Sequence, residues 1–279
     1  MIQTLISTLQ PLVKEILILS GWLAILSIIF IPLERLLPLH RQRIARRHFG
    51  IDLIFYYLAG IFPALIMSVP LGIAAYVAHR LIPTAVLTAV AEAPFWMRAL
   101  AALLATEVGY YWGHRWTHEI PLLWRFHAVH HSARELDYLV STHAHPVDTA
   151  FSHMCSMMPL YILGLSAPAS ESGNVLVVLV NVLGQCWGYF LHANLRLRLG
   201  PLEWLVSTPA FHHWHHTRGE MLDRNYSAIL PWLDRLFGTW YLPKDRWPET
   251  YGIDQPMPDT LAGQLTEPFM PPRRPSPAT

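Results

Sequence analysis

Long uncharged runs alternate with short polar bands along this chain. Residues 16–33 contain no charged side chain, enough with their flanks to cross a bilayer core. Residues 53–78 form a second uncharged run, interrupted by Pro63 and Pro70, which predicts one long kinked helix. A third apolar helix is expected from residue 99 into His114, with Glu107 as its buried acid. Residues 149–170 and 172–195 are again uncharged and predict a hairpin of two more spans, the first shortened by Pro159 or Pro168. The pattern therefore predicts an all-α integral membrane bundle of about four to five spans. Residues 16–33 lack a basic leader and a small-residue cleavage site, so they are read as a retained helix rather than a signal peptide.

Composition agrees with a membrane solvent. Of 279 residues, 53% are hydrophobic and 14% charged, against about 25% charged in soluble domains. The formal net charge of +1 gives no sign of a nucleic-acid partner. Cys155 and Cys186 both fall in apolar runs and are read as buried packing residues. Arg35, Arg41, Arg43, Arg46 and Arg47 crowd the loop after the first run and place it on the cytoplasmic side. With five spans, that orientation gathers residues 114–145, 192 and 212–216 on the cytoplasmic face.

Those polar bands carry the chemistry. His114 and His118 are spaced H-x-x-x-H; His127, His130 and His131 follow as H-x-x-H-H; His212, His215 and His216 repeat it. Spacings of three and four put side chains on one helical face, so each cluster aims several imidazoles the same way. Eight imidazoles exceed the needs of one metal ion and suit a two-metal site in a cap facing the membrane. Imidazole suits zinc, copper, iron and nickel, so ligand type does not select the metal. Glu107 lies seven residues before His114 and eleven before His118, on the same face, at a depth that favours a supporting or channel role. Glu119, Glu135, Asp137, Asp148 and Asp223 are near enough in sequence to orient imidazole N–H groups. Asn194 and Asn225 could bond a water or headgroup near the site, or serve as turn residues. Tyr110, Tyr111 and Trp112 either line a substrate slot or pack at the interface. Three segments are expected: spans and Arg-rich loop over 1–98, the histidine-bearing domain over 99–253, and a Pro-rich disordered tail over 254–279.

The strings EVGYYWGHRWTH, WRFHAVHHS, HPVDTAF, HANLRLRLGPLEW, FHHWHH, DRNY and WLDRLFGTWY, in that order, resemble the fatty acid hydroxylase/sterol desaturase superfamily over residues 105–242. The resemblance implies a membrane helical bundle with a cytosolic cap, two iron ions held by the eight box histidines, and O2-dependent oxidation of a lipid. It also implies His192 as a further ligand, and His145 in the His-Pro turn could complete the set. Some relatives carry another histidine where this chain has Gly188. Hydroxylation is favoured over desaturation for a fatty acyl or sterol-like substrate. Zinc could replace iron in the same boxes. No dinucleotide-binding, C-x-x-C or haem-attachment motif occurs, so electrons are expected from a separate ferredoxin- or cytochrome-type partner with its reductase. The expected location is the cell's inner membrane, with the active site facing the cytoplasm. Two other classes stay open from the residues: a zinc hydrolase or isomerase, and a non-catalytic metal-binding membrane protein.

Overall fold

The computed structural model describes residues 2–166, 171–219 and 221–271. Ten α-helices are found among them, with no β-strand beyond two isolated bridges. They are α1 (Ile2–Leu36), α2 (Phe49–Leu81), α3 (Thr84–Glu92), α4 (Phe95–Glu119), α5 (Pro121–His131), α6 (Pro146–Ile162), α7 (Glu171–His192), α8 (Pro209–His215), α9 (Trp232–Leu236) and α10 (Leu261–Thr266). The chain is an all-α membrane bundle with a histidine-rich cap.

Three helical segments are long and apolar enough to cross a membrane: Leu9–Leu36, Phe49–Leu81 and Val175–His192. A fourth is available if α3 and α4, bent by 113° at their junction, count as one broken span. Against the expected four to five spans, the structure offers three or four. The difference lies in α6, which has 17 residues, contains Pro159 and ends at Ile162. Pro168 lies outside the described residues. On α1, Leu17, Ile28 and Leu36 are 66%, 74% and 76% exposed, as a lipid-facing surface requires.

One packing contact sets how closely α4 and α6 approach. A Cβ at Gly109 would lie 2.2 Å from the carbonyl oxygen of Cys155, and one at Gly113 would lie 2.5 Å from its Cβ. Small residues here let α4 and α6 approach closely, as in membrane helix pairs. Cys155 is half-buried in this contact, whereas Cys186, expected to be buried, is exposed on α7.

Every long helix has an end at the same pole. The C-terminal end of α1 meets the C-terminal flank of α7 through the Pro38–Leu195 bridge. α2 begins beside Arg46, α4 and α7 end at His118 and His192, and α6 begins at His145. The short cap helices start by matching local rules. Pro121, Pro146 and Pro209 occupy the first turns of α5, α6 and α8, where a missing N–H costs nothing. Thr208 caps α8 by accepting from Phe211 N–H.

The segment from Asp254, expected to be disordered, is folded as far as residue 271. Thr260 caps α10 by accepting from Gly263 N–H, and Phe269 packs edge-on against Phe126 of α5. Proline content is tolerated because this segment takes its stability from docking on the cap rather than from its own helix. Residues 272–279 lie outside the described residues.

Candidate metal centre

The histidines of the three boxes converge on two adjoining groups. His114, His118, His127, His131 and His215 form one; His130, His192, His212 and His216 form the other. Within each group the candidate ligand atoms lie within 4.8 Å of one another. The boxes do not map onto the groups one to one. α5 sends His127 and His131, one turn apart, to the first and His130 to the second. α8 and its C-cap send His215 to the first and His212 and His216 to the second. The rings of His131 and His216 stack at 4.5 Å across the boundary.

Most rings are held from behind by Nδ1, which turns Nε2 inward. In the first group His114 Nδ1 donates to Tyr226 O (2.7 Å), His215 Nδ1 to Arg224 O (2.7 Å), His127 Nδ1 to Asp148 (3.0 Å) and His118 Nδ1 to Asp223 (3.1 Å). In the second, His130 Nδ1 donates to His143 O (3.1 Å) and His192 Nδ1 to Gly188 O (2.8 Å).

These bonds decide whether metal fits. Once Nδ1 carries the proton of a neutral imidazole, Nε2 carries only a lone pair. The Nε2 atoms of His130 and His192 nevertheless face each other at 3.2 Å, and His192 Nε2 faces those of His212 and His216 at 3.1 Å. Lone pairs in such proximity need a cation between them. Protons are a poor choice, because burial drives the pKa of His130, His131, His212 and His216 well below the usual value and that of His215 to about 3. Metal–imidazole bonds of about 2.0–2.1 Å put neighbouring nitrogens of one ion about 3.0–3.4 Å apart. His118 Nε2 and His215 Nε2 are also buried without a partner. The donor set fits two metal ions.

The turn 224–226 is a shared clamp. Asn225 adopts φ 59°, a left-handed conformation that asparagine tolerates. Its side chain donates to Phe211 O and Tyr241 O and accepts from Tyr241 N–H. The reversal brings the flanking carbonyls of Arg224 and Tyr226 onto His215 and His114. Asn225 is therefore a turn residue here. Asn194 has a similar task, bonding His40 through N–H and C=O and joining the α1–α2 loop to the end of α7.

The structure places three expected residues differently. His145 belongs to neither group. Its Nδ1 accepts from Val147 N–H and its Nε2 donates to Leu265 O, so both ring nitrogens are engaged in capping α6 and docking α10. Asp137 touches no imidazole; it takes Arg46 in a bidentate pair (2.6 and 2.9 Å) and caps the 3-10 turn Tyr138–Thr142. Among the other acids, Glu119 pairs with Arg115. Glu107 receives the N–H groups of Ile229 and Leu230 (2.8 and 2.9 Å) and lines the cavity below the histidines.

Sequence reasoning took His143 as a support for the ligands but missed the ion pairs behind it. Arg46 bridges Asp137 and Asp52, and Asp52 bonds His143 Nδ1. The carbonyl of His143 is what anchors His130. Arg46 carried a topological signal in the sequence; only the fold brings it to residues about 90 positions away. At Gly188, a Cβ would lie 2.9 Å from Ser141 Oγ. Ser141 thus fills the space that an additional histidine there would need.

A cavity of about 170 Å³ descends from His127, His130, His192 and His212 between α4, α6 and α7. Tyr110 lines it. Tyr111 does not: it is fully buried, bonded to Thr239 and stacked on Phe237, against which Trp112 also packs.

Residues 99–239, half of the chain, match the fatty acid hydroxylase family. The chain belongs to this family. An ornithine lipid hydroxylase from Rhizobium tropici is 32% identical over 177 residues, covering 63% of this chain and 51% of that protein. An alkylglycerol monooxygenase from Danio rerio is 36% identical over 157 residues, 56% of this chain and 33% of that protein. A very-long-chain aldehyde decarbonylase from Arabidopsis thaliana is 29% identical over 179 residues, 60% of this chain and 27% of that protein. This fatty acid hydroxylase family chain therefore spans about half the length, or less, of these curated relatives. No solved structure matches it. The family match contains all three boxes, His192 and the 224–226 clamp, but ends before the docked segment 254–271.

Proposed function

We propose that this chain is an O2-dependent membrane oxygenase that hydroxylates a C–H bond of a lipid. The observation that carries the reading is the pair of histidine groups at the head of a cavity running down among membrane helices. The relatives named as a lipid hydroxylase and an alkylglycerol monooxygenase support it. His114, His118, His127, His131 and His215 would hold one iron; His130, His192, His212 and His216 would hold the other. Bound iron would supply what no side chain can, abstraction of hydrogen from an unactivated C–H bond with O2 as co-substrate.

The chain's own residues provide the setting. α4, α6 and α7 hold a lipid chain end-on to the histidines, which reduces the search for the reacting carbon to a sliding coordinate. Glu107 pins Ile229 and Leu230 by their N–H groups, fixing the wall at Ala228 and Ile229. The buried cap over the two groups keeps bulk water from the reacting centre. Electrons would come from a separate ferredoxin- or cytochrome-type partner with its reductase. The five-arginine loop sits at the histidine pole, which favours a cytoplasmic active site in the inner membrane.

The deciding experiment combines metal analysis with O2 dependence. Protein expressed with ample iron should bind about two irons per chain and convert a supplied lipid only with O2 and an electron donor. Zinc outcompetes Fe2+ in the usual affinity order, so zinc in a single preparation is not decisive. Reconstitution that never exceeds one metal per chain, or turnover without O2, would sink the reading. Reporter fusions after Arg47 and after Arg218 should both read cytoplasmic.

A further inference from the structure

Two carboxamides stand unpartnered in the apolar span Val175–His192. Asn181 and Gln185 lie one turn apart on α7, both are exposed, and neither side chain has a hydrogen bond among the described residues. Unpaired amides inside a membrane are costly, and such residues normally face a partner or a functional cavity. These two face two cavities at once. They line the metal-side cavity, and they also line a groove of about 340 Å³ between α1, α2 and α7 that includes Trp22 and Cys186. Ala59 and Thr142 are the other residues common to both linings. The two spaces adjoin along this shared wall, the groove on the α1–α2 side and the cavity on the histidine side.

At 1.5 Å rise per residue, Gln185 lies about 10 Å and Asn181 about 16 Å from His192 along α7. Between them and His192 the same face carries Gly184 and Gly188. A Cβ at Gly184 would meet nothing within 4 Å, so the cavity wall is open there. A carboxamide pair offers both donors and acceptors, and its complement is a group with both.

We propose that Asn181 and Gln185 select the substrate. The lipid chain enters sideways between α1, α2 and α7. It carries within it an amide or a hydroxyl that pairs with the two carboxamides, while a carbon farther along reaches the histidine groups. This inference rests on the lipid-oxygenase reading for what happens at the metals, but not for what binds.

Photo-crosslinking tests it without turnover. The full chain, metal-loaded and in nanodiscs, is labelled with four chains of equal length bearing a terminal diazirine. They differ at one internal position: amide, hydroxyl, ester (an acceptor only) or methylene. The amide and hydroxyl chains should label at least tenfold more than the other two. Asn181→Leu/Gln185→Leu should bring them to the methylene level, with metal content unchanged as the check on folding. Gln185→Leu alone should lower them partway. Gly184→Leu should reduce labelling by every chain. Equal labelling of all four by the unaltered protein, ester labelling equal to amide, or an undiminished preference in the double variant overturns the proposal. Intact selective labelling in a protein that never oxidises any of these chains would instead count against the oxygenase reading alone.

Discussion

The two histidine groups share helices but are built differently. In the five-histidine group, four Nδ1 atoms are held, two by backbone carbonyls and two by carboxylates. In the four-histidine group, two are held, both by carbonyls, while His212 Nδ1 and His216 Nδ1 are buried without partners. Three of these four histidines line the cavity, against one of the five. The group nearer the substrate space thus has fewer ligands and fewer restraints. Fewer protein nitrogens leave more of an ion's coordination sphere to O2 and substrate, and carboxylate-backed imidazoles are the more basic donors. The contrast points to the four-histidine group as the reactive side and the five-histidine group as the more tightly bound partner.

The sharpest test removes a ligand from the reactive side. His192→Gln retains polarity and rough size but supplies a much poorer ligand. Metal should fall from about two to about one per chain and turnover to background, read by elemental analysis and product mass spectrometry. His79→Gln, at the far end of α2, should leave both unchanged. A variant at His192 with two metals and most of its activity would erase the contrast.

Next in size come the carboxylates of the other group. Asp148→Asn should weaken metal affinity or turnover about 10- to 100-fold. Asp223→Asn should do less, because the Asp223 side chain is 71% exposed and that of Asp148 only 5%. Chelator titration of the two variants ranks them. A larger loss at Asp223 would mean that exposure does not govern these restraints.

Acid should undo the apo protein before it undoes the holo form. Burial lowers the native pKa of His215 to about 3 and holds His130, His131, His212 and His216 well below their usual value. An unfolded histidine titrates near 6.5, so below that the unfolded state binds the extra protons. Stability from these neutral histidines is complete above about pH 6.5 and is lost progressively as the pH falls below it. Apo protein should melt progressively lower from pH 7 to pH 5, whereas bound metal should delay the loss until protons displace it. A flat apo profile would show that these rings are solvated.

The smallest effect is expected at His145. His145→Ala removes a cap and the link to Leu265, so stability should drop by about 1 kcal/mol while both metals remain. Loss of a metal would return His145 to the ligand set.

These contrasts mark how far the sequence could be read. The convergence of the eight box histidines was legible because spacings of three and four fix a helical face, and His192 was expected beside them from the family resemblance. The division of each box between two groups was not legible. Neighbouring residues such as His130 and His131 belong to different groups, which spacing along one helix does not reveal. The ion pairs of Arg46 and Asp52 behind His143 were hidden because their members are unremarkable locally and meet only through folding. A fifth span was expected because residues 149–170 are apolar, yet α6 ends at Ile162. Its apolar residues pack against α4 and α2. Segment 254–271 was misread because composition reports a chain's own propensity and cannot register a docking surface.

The place of α8 in the chain sets a timetable for biosynthesis. Both groups need it: the five-histidine group lacks His215, and the other lacks His212 and His216, until synthesis passes residue 216. The carbonyls of Arg224 and Tyr226 emerge later still. By then α1 and α2 have already left the ribosome. Filling of the two histidine groups would therefore be a closing event in maturation, performed on a chain already held by the membrane. A nascent chain arrested before Thr208 would hold His114, His118, His127, His130, His131 and His192, with neither centre complete.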